Sequence, residues 1–135
     1  MTDKTIYAIA TMDTKAEELG FIAKRLGKTG HQVKTVDVGT ASDPEMSADV
    51  PRGIVAACHD KGAEYVLGQN DRGKAVAAMG QALESFLLQE YAANRIAGVI
   101  GAGGSGGTSL ISKGMRALPI GLPKLLVSTV ASGNT

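Results

Sequence analysis

Ile96-Ala-Gly-Val-Ile100, followed directly by Gly101-Ala-Gly-Gly-Ser-Gly-Gly-Thr108, decides how this chain is read. The first five residues form the apolar run of a buried strand, and five of the next eight are glycine. Ser109 to Leu118 then has the character of a helix. Glycine lets another group approach the main chain closely. A strand that turns through such a loop into a helix presents bare N–H groups and the positive end of a helix dipole, which suit phosphate. The expectation is a nucleotide- or phosphoester-binding domain.

The flanking sequence supplies the frame. Thr5 to Ala10 reads as a first buried strand. Asp13 or Thr14 is placed to cap a helix, with Thr14 and Glu17 at capping-box spacing and Leu19, Ile22, Ala23 and Leu26 on one face. Gln32 to Val38 is a second strand, and Thr40 to Val50 a polar loop. Pro51 opens a helix that continues to Gly62, Glu64 to Gly68 reads as a short strand or, in preference, a helical turn, and Asp71 caps a long helix from about Arg72 to Asn94. After the glycine segment, Lys124 to Val130 is a last strand. Strands alternating with helices indicate right-handed β-α-β units and a parallel sheet of about four strands, with helices on both faces. The pattern is Rossmann-like and fits one domain across residues 1–135. A further helix is expected after the last strand, so one face of the sheet is thinly covered.

Ligands of open parallel sheets sit beyond the carboxyl ends of the strands. Thr11, Asp13, Thr14 and Lys15 follow the first strand here, and Asp37 ends the second. Gly103, Gly104, Ser105, Gly106, Gly107 and Thr108 follow the third, and Ser128, Thr129 and Ser132 belong to the last. Gly101-x-Gly103-x-x-Gly106 spells a dinucleotide fingerprint, but no acid stands about 20 residues on to hold ribose. Gly101-x-x-x-x-Gly106-x-Thr108 resembles a P-loop in which Gly107 replaces the lysine. A cation for phosphate therefore has to come from Lys15, Arg72 or Lys124. The alternative is a turn whose glycines only let a helix pack closely on the sheet. Asp37 is read either as an exposed carboxylate for a ribose hydroxyl or as a solvated strand-end acid. Asp13 is a helix cap, a Mg²⁺ ligand, or both.

Composition narrows the partners. With 14 basic and 13 acidic residues the net charge is +1, without the dense cationic stripe of a nucleic-acid binder. No run approaches the roughly 20 apolar residues of a membrane span. Cys58 is the single cysteine, which fits a reducing, cytoplasmic setting. His31 precedes a strand and His59 lies in a helix, neither with a metal-type partner at useful spacing. No histidine is positioned to serve Ser105 as a base, so a hydrolase triad finds no support.

Thr11-Met-Asp-Thr-Lys-Ala-Glu17, Gly101-Ala-Gly-Gly-Ser-Gly-Gly-Thr-Ser109 and Met115-Arg-Ala-Leu-Pro-Ile-Gly-Leu-Pro-Lys-Leu-Leu-Val-Ser-Thr-Val-Ala-Ser-Gly133 together resemble one family. It is the tomato mosaic virus resistance protein-like ATP-binding domain family, and the likeness spans the whole chain. The resemblance implies an N-terminal Rossmann-like domain with a further α/β domain after it, ATP binding with Mg²⁺, and a homo-oligomer. It carries over to Asp13, Thr14 and Lys15, to Gly103 through Thr108, and to Ser128, Thr129 and Ser132. No reaction is implied. A phosphotransferase or ligase-like enzyme and a regulatory protein-interaction domain stand as alternatives to a nucleotide-binding module.

Overall fold

The computed structural model describes residues 4–44 and 46–128. The strands are β1 (Thr5–Ala10), β2 (Val33–Asp37), β3 (Ile96–Gly103) and β4 (Lys124–Ser128). The helices are α1 (Met12–Lys28), α2 (Arg52–Ala56), α3 (Ala63–Leu67), α4 (Arg72–Ala92) and α5 (Ser105–Arg116). All strand pairings are parallel, in the order β2-β1-β3-β4. Ala10 pairs with both Asp37 and Ala102, and Gly103 with Ser128, so the carboxyl ends share one edge.

Alternation along β1 divides the core. Tyr7 and Ile9 point to one face, where Met79, Leu83 and Leu87 of α4 pack with Leu110, Ile111 and Met115 of α5. Ala8 and Ala10 point to the other face and meet Met12, Ala16 and Leu19 of α1. The period of two in the strand and of three to four in the helices fixes which side chains meet. Helices therefore pack on both faces of an α/β sheet, as the alternating pattern requires.

The boundaries correct the sequence reading in three places. The glycine-rich segment is not an open loop. β3 runs on to Gly103 and α5 begins at Ser105, leaving Gly104 alone between them. A Cβ on Gly103 would lie 2.6 Å from the Thr108 nitrogen and 2.8 Å from the Gly107 carbonyl carbon. Its absence lets the helix start directly over the strand end. At the start of α1, neither Asp13 nor Thr14 is the N-cap and the capping box does not form. Thr11 holds the cap position without a capping side-chain bond, and Thr14 Oγ1 turns back to the Thr11 carbonyl at 3.3 Å. Lys15 then breaks helical geometry (φ −123°, ψ 23°), with its amide and that of Thr14 both donating to the Thr11 carbonyl. Finally, Pro51 precedes rather than opens its helix, which ends at Ala56.

Candidate functional site

The chain runs from β1 outward to β2 in one direction and from β3 outward to β4 in the other. The crevice between the carboxyl ends of β1 and β3 is thus a topological switch point. The first turns of α1 and α5 meet there: the Thr11 methyl lies 3.5 Å from where a Cβ of Gly107 would stand. Between them opens a cleft of about 390 Å³. Thr11, Asp13, Thr14, Lys15, Gly104, Ser105, Gly106 and Gly107 all line it. Four segments distant in sequence contribute, because Thr40 and Ala41 after β2, and Gln69, Asn70, Arg72 and Val76 around the start of α4, form the remaining wall.

Three helices begin at this cleft, and two of them are capped by carboxylates. The Met12 amide of α1 donates to Asp37 Oδ1 at 3.0 Å, and the Lys74 amide of α4 donates to Asp71 Oδ2 at 2.9 Å. Among the described residues no side chain caps α5. The Thr108 amide turns inward to the Gly104 carbonyl at 2.9 Å. The amides of Ser105, Gly106 and Gly107 donate to nothing among the described residues. First-turn N–H groups of a helix have no partner within it, and they carry the positive end of its dipole.

Arg72 adds charge beside them. Its Nη2 lies 3.7 Å from where a Cβ of Gly106 would stand, and among the described residues it makes no hydrogen bond or ion pair. Lys15 also lines the cleft, with Nζ 3.8 Å from Glu18 Oε2. Lys124 is eliminated as the cation for this cleft. It opens β4 at the amino edge of the sheet, where Nζ donates to the Pro119 carbonyl.

Other candidates are engaged elsewhere. Asp37 is 1% exposed, so it is not the exposed strand-end carboxylate that a ribose would need. Its Oδ1 accepts from both Met12 and Gly39 amides, at 3.0 and 2.8 Å, tying β2 to the start of α1. The Thr108 hydroxyl donates to Ser128 Oγ at 2.9 Å, which binds α5 to β4 rather than facing the cleft. Gly103 lies buried beneath the first turn of α5. Thr129 and Ser132 lie outside the described residues.

Asp13 Oδ2 accepts from the Ala41 and Ser42 amides at 3.1 and 3.4 Å and so holds the loop after β2. Its Oδ1 receives no hydrogen bond among the described residues. That single carboxylate oxygen is what a magnesium ion held mainly by phosphate and water oxygens would take from the protein. It does not make a metal site alone: no group of three or more His, Cys, Asp or Glu gathers among the described residues.

Away from the cleft, His59 is held at both ring nitrogens, with Nδ1 accepting from the Lys61 amide at 3.0 Å and Nε2 2.7 Å from Gln81 Oε1. Burial, then the Glu90 charge, pushes the Cys58 thiol up, which keeps it un-ionised and poorly nucleophilic. Gln69 and Asn70 were not anticipated. They stand between two helices rather than at a strand end; the one available signal was a polar pair directly before the Asp71 cap.

Comparison with known proteins fits this geometry into a lineage. Residues 4–135 match the N-terminal domain of UPF0261, an uncharacterised protein family. A UPF0261 protein of Mesorhizobium japonicum is 52% identical over 132 residues, and one of Rhizobium meliloti 50% over 131. The ToMV resistance protein Tm-1 of Solanum lycopersicum is 42% identical over 145 residues. These alignments take in 98%, 97% and 96% of this chain but 32%, 32% and 19% of the relatives. The chain therefore spans about a third of the length of its curated bacterial relatives. No helix among the described residues is long and apolar enough to cross a membrane. The chain belongs to UPF0261, as that family's N-terminal domain.

Proposed function

We propose that this domain binds a nucleotide, ATP with Mg²⁺, with the phosphates seated on the amides of Ser105, Gly106 and Gly107. The observation that carries the reading is that, among the described residues, α5 alone of the three helices at the cleft has no carboxylate at its N-terminus. An anionic ligand would supply what Asp37 and Asp71 supply to α1 and α4. Arg72 takes the role left by the missing P-loop lysine, and Thr11, Thr14 and Lys15 form the polar rim. Asp13 offers its Oδ1 to the metal, and Val76 with Leu110 gives the apolar wall that a base would use. The physiological unit in this reading is a longer cytoplasmic polypeptide that self-associates.

A thermal-shift panel tests it. ATP·Mg²⁺ at 100 times its Kd stabilises the fold by about 2.7 kcal/mol, which for this chain length raises Tm on the order of 10 °C. NAD should give no such rise. Arg72→Ala should leave the free protein's Tm nearly unchanged, since the side chain is exposed, while removing most of the ATP response. Equal responses to ATP and NAD, or none to any nucleotide, would overturn the proposal.

A further inference from the structure

We infer that the sheet face beside α1, over β3 and β4, is the docking surface for the polypeptide that follows this domain in the longer relatives. Leu126 of β4 packs into the α4–α5 core, so its neighbours Leu125 and Val127 point to the opposite face. They are 57% and 49% exposed there. They pair with Ile100 and Ala102 of β3, and Ile100 belongs to the cluster beneath α1. An apolar groove of about 400 Å³ runs along this border, lined by Leu26, Ile100, Pro123 and Leu125. Parallel sheets are buried on both faces, because each strand carries apolar side chains on both.

Handedness says what does not cover it. α5 connects β3 to β4 on the side of α4, and any further right-handed crossover outward from β4 falls on that same side. The cover must therefore come from an element other than a crossover to a strand added beyond β4. The relatives supply one: the match is to an N-terminal domain and takes in only 32% of the bacterial proteins. A segment tethered to the same chain acts at millimolar effective concentration, which favours it over a second copy.

Hydroxyl-radical footprinting read by mass spectrometry tests this without substitutions. The 135-residue chain and the full-length Mesorhizobium relative are compared at Leu125, Val127 and their matched positions, with the fully exposed Ile120 as reference. Oxidation at the matched positions, normalised to the residue matched to Ile120, should be about tenfold slower in the full-length relative. Equal rates in the two proteins would overturn the inference. So would protection in the 135-residue chain that grows with its concentration, which would assign the face to a second copy.

Discussion

Two glycines three residues apart should respond oppositely to the same substitution. A Cβ on Gly103 would sit 2.6 Å from a backbone nitrogen and 2.8 Å from a backbone carbon of α5, closer than real Cβ atoms approach. Gly103→Ala must push the helix off the strand, and overpacking of this kind costs about 2–3 kcal/mol. A Cβ on Gly106 would meet nothing nearer than 3.7 Å, from Arg72 Nη2 and Val76 Cγ2, which is ordinary contact. Gly106 also lies within α5, where glycine is worse than alanine by about 0.5–1 kcal/mol. Gly106→Ala should therefore stabilise the free domain. At about 4 °C per kcal/mol, Tm rises by roughly 2–4 °C for Gly106→Ala and falls by roughly 8–12 °C for Gly103→Ala. The added methyl stands 3.7 Å from Arg72 Nη2 and narrows the space beside the first turn of α5. It should weaken ATP binding about tenfold to a hundredfold, the equivalent of one charge-assisted hydrogen bond. Thermal melts and isothermal titration calorimetry give both numbers. A more stable Gly106→Ala protein with undiminished ATP affinity would refute the reasoning. It would mean that this glycine serves neither packing nor ligand approach.

Two further perturbations probe the scaffold. Asp37→Ala strips the acceptor from the Met12 and Gly39 amides and should cost about 2–4 kcal/mol, while Asp37→Asn keeps an oxygen there and should cost about 1 kcal/mol; equal stability of Asp37→Ala and the parent in urea melts would contradict the capping role. Tyr7 donates to Glu90 Oε1 at 2.6 Å, and burial, then that bond and the Glu90 charge, push its ionisation above the usual 10.0 against a smaller pull from Arg95. Because the folded phenol keeps its proton where the unfolded one releases it, stability should fall as pH rises above about 10, by up to about 1.4 kcal/mol per unit. Tyr7→Phe should lose this component, and matching losses between pH 9 and 11 in both proteins would refute it.

The layered architecture was legible because alternating strand and helix periods repeat along the chain. The details that failed were those set by distant contacts. Residues 101–108 read as a loop because glycine is a poor former of either element, yet the close seat of α5 on Gly103 overrides that tendency. Thr14 and Glu17 had the right spacing for a cap, but the carboxylate that serves α1 comes from Asp37, 25 residues away. No local pattern contains that bond. The cleft itself was partly legible. The rule of strand carboxyl ends found the α1 and α5 walls, and it missed Gln69 and Asn70, which reach the cleft from a helix–helix connection.

The central claim concerns the three amides at the start of α5, and ¹⁵N-resolved NMR during an ATP·Mg²⁺ titration observes them directly. The Ser105, Gly106 and Gly107 resonances should move most and saturate together, with Lys74 and Met12, already bonded to carboxylates, moving little. Saturable binding that leaves those three resonances in place would contradict the account.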